Sequence, residues 1–241
     1  VVQHDFGIGL IIRRDIVRSG SERLRDDGTI GQIVVLIANE DTHAYNPTPQ
    51  DSKLILKADL ILINGLSFET WFERLVKASG YKGPVAIASQ GIKFHKMMEP
   101  TLSDKPVPDP HVWNDVNHVM TWVRNIKQAL QKTDSNRADI YEKNATDYLK
   151  KLSALDTWIR LQFKGIPRDS CKVITAHDAF NYFEKAYGLI FLSPQGISTL
   201  DEPSAFDMAD LINQIRKEKI TTIFVENISS QHLIKQLASE T

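Results

Sequence analysis

The chain has 241 residues, 42% of them hydrophobic and 24% charged, with a formal net charge of -1 at pH 7. That near-neutral balance excludes the basic excess of a nucleic-acid binder and the polybasic face of a protein held on an anionic membrane. A lone cysteine, Cys171, excludes an intrachain disulfide, and the length suits one large domain or two lobes of roughly 100 residues each. No apolar run reaches the roughly 18 residues of a membrane span. The chain opens VVQHDF without a signal segment, so export would imply a leader already removed.

The first clear pattern is Ile30 to Ala38, IGQIVVLIA, an apolar run of strand length. After THAYNPTPQD, Thr48-Pro49 predicts a helix starting at Asp51, because proline is tolerated in a first turn. Asp59 to Ile63 reads as a second buried strand, ending at Asn64-Gly65. From Ser67 to Ser79, Phe68, Trp71, Phe72, Leu75 and Val76 recur at the spacing of one buried helix face. Pro84 to Ala88 is the next strand, and the alternation predicts a parallel sheet covered by helices.

Met97 to Pro110, with prolines at 100, 106, 108 and 110, reads as a loop, and Val116 to Gln131 as a helix. Asn136 to Lys164 contains neither glycine nor proline. As a helix it would span roughly 43 Å, more than one small lobe, and so reads as a rigid strut between two lobes. After Gly165-Ile166-Pro167 the alternation resumes: strand Cys171–Thr175, helix Ala179–Gly188, strand Leu189–Leu192, helix Ser204–Lys217, strand Ile220–Val225 and helix Ser230–Ser239. The expected organisation is α/β: an N-terminal lobe over 1–133, a linking helix over 134–166 and a C-terminal lobe over 167–241. Where the chain stops, one more strand would be expected.

Three of the seven histidines occupy comparable contexts. His43, His111 (in DPHVW) and His177 (in VITAHDAF) each precede a helix, and His43 and His177 also follow strands. Open α/β sheets bind ligands at the carboxyl ends of their strands, and neutral imidazole suits zinc, copper, iron and nickel. Taken singly, a capping or loop role is the commoner reading of each position.

Longer stretches carry a family resemblance. HAYNPTPQD, ADLILINGLSFETW, DPHVWNDVNHVMTWVRNI, AHDAFNYFEKAYGL and SPQGISTLDEPSAFDMADLINQIRKEKITTIFVEN occur in the order seen in metal-binding substrate-binding proteins of ABC importers. The chain resembles that group, which includes zinc-, manganese- and iron-specific members, from about Asp41 to its end. The resemblance implies two parallel-sheet lobes joined by one long rigid helix, with the metal in the cleft between them. It implies His43, His111 and His177 as ligands, a monomer, an extracytoplasmic or periplasmic location and a membrane ABC permease as partner.

Manganese-type members commonly place glutamate at the third position, so His177 tilts the expected cargo towards Zn2+, with Mn2+ or iron as the alternative. The family's fourth ligand, an aspartate, maps beyond Thr241. Glu226, at the end of TIFVE, is a candidate neighbour or weak fourth ligand, or an acidic residue that holds a loop. Asp109 and Asp178 are candidates to orient the histidines or to cap turns, and Tyr45 and Asn64 to line or brace the cleft. LIIRRDIVRSGSERLRDDGTIGQIVVLIANED follows the family outline loosely, and HDFGIGLIIRR departs from it.

His95, His118, His232 and His4 read as surface or packing residues, and Trp71, Trp113, Trp122 and Trp158 as core or inter-lobe filling. A mononuclear zinc hydrolase with three histidines and an open water position is the rival reading. It lacks H-E-x-x-H or a comparable motif, so no enzyme is expected. No phosphate-binding glycine loop supports a nucleotide-binding domain. An adhesin role could coexist with metal capture.

Overall fold

The computed structural model describes residues 10–13, 32–35, 42–99, 103–167, 172–193, 204–224 and 231–241. These fall into two compact units. The first holds the described residues up to Lys93 together with His118–Leu152; the second holds those from Phe94 to Asn117 and from Ser153 onward.

In the first unit β1 (Leu10–Arg13), β2 (Gln32–Val35), β3 (Leu60–Ile63) and β4 (Val85–Ile87) form a sheet in the order β2-β1-β3-β4. β3 and β4 run parallel, with Ile61 opposite Val85, because α2 (Phe72–Ser79) supplies the crossover between them. β3 is LILI with its first three residues buried, as a strand covered on both faces requires. β1 departs from the expected all-parallel arrangement: it lies antiparallel to both β2 and β3. α1 (Pro49–Leu56) begins two residues earlier than a start at Asp51 would give. Thr48 caps it, and the Asp51 carboxylate accepts the Thr48 backbone N–H at 2.6 Å in return.

The helix expected from Ser67 starts only at Phe72. Gly65, Leu66 and Ser67 have φ of 84°, 55° and 62°, a left-handed run that no right-handed helix can include. Phe68 and Trp71 are buried as the periodicity implied, but from a turn. Ile55, Ile61, Trp71, Leu75 and Tyr81 form this unit's core. Each such large apolar side chain contributes about 1.5–3 kcal/mol on burial.

In the second unit the segment expected as a proline loop is a hairpin of β5 (Lys96–Glu99) and β6 (Ser103–Pro108). A two-stranded ribbon has only edges, so Pro106 and Pro108 need not supply an interior ladder N–H. β7 (Lys172–Ile174) and β8 (Ile190–Leu192) are parallel, joined through α5 (Asn181–Tyr187). The expected strand over 220–225 reduces, among its described residues, to a single parallel bridge from Ile223 to Ile174. α6 (Ala205–Glu218) and α7 (Gln231–Glu240) cover Ile174 and Ala176 with Met208, Leu211, Ile212, Ile215 and Leu237. The hairpin and the following residues through Asn117 group here rather than with the first 93 residues. The bonds explain why: the Asn114 amide donates to the Ala179 carbonyl at 2.8 Å, and the Tyr187 hydroxyl accepts the Val116 N–H at 3.2 Å.

α3 (Val116–Thr133) and α4 (Ala138–Phe163) match the two expected helices closely. α4 has 26 residues, about 39 Å at 1.5 Å per residue. Its residues up to Leu152 group with the first unit and those from Ser153 with the second. Trp71 and Trp122 are core residues as expected, but Trp158 on α4 is 57% exposed and fills none. No helix among the described residues is long and apolar enough to cross a membrane.

Candidate metal centre

His111 and His177 come together in the second unit. His111 follows Asp109-Pro110 and caps a short 3-10 turn, Val112–Asn114; it is 1% exposed. The Asp109 carboxylate, wholly buried, accepts from His111 Nδ1 at 2.9 Å and from the His111 backbone N–H at 3.0 Å. A carboxylate can only accept, so Nδ1 carries the proton and the lone pair lies on Nε2, the nitrogen a metal would take. His177 lies three residues beyond the end of β7, and its ring centroid lies 5.5 Å from that of His111, with the planes at 67°. Trp113 packs edge-on against His111 at 5.2 Å.

A polar brace holds the pair. The Asn181 amide, in the first turn of α5, donates to Asp178 Oδ1 at 3.0 Å and to Asp109 Oδ2 at 3.3 Å. Burial, reinforced by the negative charge of Asp109, raises the Asp178 carboxyl above its ordinary range. The Tyr182 hydroxyl donates to the Asp109 carbonyl at 2.8 Å and accepts the His95 N–H at 3.0 Å, while its ring stacks on His95 at 4.7 Å. The helix that follows one histidine is thereby fastened to the loop that carries the other.

His43 belongs to the first unit, in the 3-10 turn Thr42–Ala44. Phe68 meets its ring edge-to-face at 4.7 Å, and the Trp71 indole N–H donates to the Thr42 carbonyl at 2.9 Å. Tyr45 turns to its own unit: its hydroxyl donates to Asp51 at 2.8 Å and its ring packs on Trp71 at 5.1 Å. Asn64 is buried at the end of β3, where its amide donates to the Gly65 carbonyl. Within either unit, the described residues contain no cluster of three or more His, Cys, Asp or Glu side chains able to hold a metal.

Glu226 and His4 lie outside the described residues, and His118 is half-buried on α3. Sequence reasoning missed Asn181, Tyr182 and Glu69. The first two stand four and five residues after His177, where a first helical turn faces back to the strand end, and that offset was a usable signal.

The family described as zinc-uptake complex component A, periplasmic (ZnuA), matches residues 28–241. The chain belongs to this family. It is 32% identical over 214 residues to the metal ABC transporter substrate-binding lipoprotein FimA of Streptococcus parasanguinis, covering 86% of this chain and 68% of FimA. With the manganese ABC transporter substrate-binding lipoprotein PsaA of Streptococcus anginosus it shares 31% identity, at the same coverage of each chain. Among solved structures, the periplasmic zinc-binding protein TroA from Treponema pallidum is similar at a TM-score of 0.76 and 30% identity, covering 84% of this chain and 72% of TroA. This family member is thus a metal-binding, substrate-binding component of an ABC importer, working with a membrane permease. The two-lobed α/β architecture expected from the motifs is that of TroA.

Proposed function

We propose that the chain captures zinc, in preference to manganese, on His43, His111 and His177 and delivers it to its permease. The observation that carries this reading is the His111–His177 pair, 5.5 Å apart between centroids, with Asp109 holding His111 in the tautomer that exposes Nε2 to a metal. Imidazoles are good ligands for zinc, whereas manganese favours a more oxygen-rich shell. The metal here is cargo, so its hold must be reversible. Protons compete with it for each imidazole, and capture weakens as pH falls through the histidine range.

Manganese remains the second reading, because PsaA is a manganese protein by name and shares 31% identity with this chain. Metal analysis of protein purified without added metal, followed by competition between zinc and manganese, separates the two. Zinc retained against a large excess of manganese, and lost in His111→Ala, is the expected result. Preference for manganese would overturn the choice of cargo, and unchanged zinc binding in His111→Ala would overturn the ligand assignment.

A further inference from the structure

We propose that Glu69 is a positioning residue for His43: its buried carboxylate folds the turn over 64–69 that seats the imidazole. The inference rests on the reading of His43 as a metal ligand.

The turn is unfavourable on its own. Gly65, Leu66 and Ser67 all have positive φ, and only the first is glycine. Such a run persists where its surroundings over-determine it. Glu69 does so from the C-terminal side, accepting the Asn64 N–H at 2.7 Å and the Gly65 N–H at 3.1 Å with its two carboxylate oxygens. Ser89 does so from the neighbouring strand end, its hydroxyl donating to the Asn64 carbonyl at 2.6 Å. Glu69 is 7% exposed, so these bonds lie away from competing water.

The turn then delivers two side chains to the His43 segment, one on each side of Glu69 in sequence. Phe68, 5% exposed, meets the His43 ring edge-to-face with an interplanar angle of 88°. Trp71, 1% exposed, holds the Thr42 carbonyl at 2.9 Å. One contact sets the ring and the other sets the backbone just before it. A carboxylate suits the task because it offers two acceptor oxygens to two converging N–H groups. An amide offers one, and alanine none.

The test compares zinc affinity, by chelator competition, for wild type, Glu69→Gln, Glu69→Ala, Phe68→Leu and His43→Ala, with circular dichroism confirming the fold. By analogy with supports behind metal ligands, Glu69→Ala should weaken zinc binding about 10–100-fold, and Glu69→Gln less. Phe68→Leu, which leaves the turn's hydrogen bonds intact, should also weaken it. NMR of the metal-free protein adds a reading that general destabilisation would not give: the His43 ring resonances should shift in Glu69→Gln while those of His111 and His177 stay. If Glu69→Ala fails to fold, Glu69→Gln and Phe68→Leu decide. Weakened binding in His43→Ala with wild-type affinity in folded Glu69→Gln and Phe68→Leu overturns the positioning role. Unchanged affinity in His43→Ala overturns the ligand reading instead.

Discussion

Replacing Glu69 by glutamine should change how the stability of the metal-free protein depends on pH. Burial pushes the Glu69 carboxyl up from the ordinary 4.5 to about 7, outweighing the Asn64 and Gly65 N–H groups that favour the charged form. In the unfolded chain the group ionises near its ordinary value. Between these two pH values the folded state therefore binds more protons than the unfolded state, and stability falls as pH rises. Below the lower value the contribution is fully present; above about 7 the loss is complete. The separation from 4.5 to about 7, at 1.36 kcal/mol per pH unit, corresponds to about 3 kcal/mol. Glutamine keeps the shape and does not titrate, so the difference between the two proteins should move by that amount, in favour of the variant, from pH 4 to pH 8. Urea unfolding at several pH values measures it, and amide exchange in β3 and α2 assigns it to the first unit. A constant offset between wild type and variant across this range would refute the reasoning.

Asp109→Asn should weaken zinc binding about 10–100-fold, because the amide no longer enforces the Nδ1–H form of His111; calorimetry at fixed pH reads the change, and unaltered affinity would remove Asp109 from the site. Gly65→Ala should destabilise the first unit by about 1–3 kcal/mol, since φ is 84° and a Cβ there would stand 2.6 Å from Ile87 Cγ2; urea unfolding checks it. Trp71→Ala should cost about 3–5 kcal/mol, because the side chain is 1% exposed and its indole N–H is bonded to Thr42. Trp158→Ala, at a residue 57% exposed, should stay within about 0.5 kcal/mol of wild type.

What the sequence made legible follows the reach of each signal. Period and composition located β3, α3 and α4, whose apolar faces repeat over enough residues to outvote local exceptions. The start of α2 was misread because periodicity counts Phe68 and Trp71 as one helical face and cannot see that Leu66 and Ser67 are left-handed. Nothing in LSFETW announces positive φ without glycine. The turn is held by the distant Ser89 and by the carboxylate of Glu69 on the Asn64 and Gly65 N–H groups, which only the fold brings together. The β5–β6 hairpin was hidden for a related reason: its prolines argue against an interior strand, and it has no interior strand.

The site shows the same division between reacting groups and their supports. Imidazoles are scarce and chemically conspicuous, but the family motifs around His43, His111 and His177 were needed to nominate these three from the seven histidines. Asn181 and Tyr182 are common residue types in an ordinary helical turn, and their bonds to Asp109 reach 72 and 73 residues along the chain. Glu69 is harder still, because a glutamate is ordinarily a surface residue, and this one is inside only because two backbone N–H groups converge there. A ligand can therefore be nominated from its own chemistry and motif, whereas a residue that aims a ligand is recognisable only by its burial and by the partner it holds. That difference is why variants of Asp109 and Glu69, rather than further histidine variants, are the sharper tests of the proposed metal site.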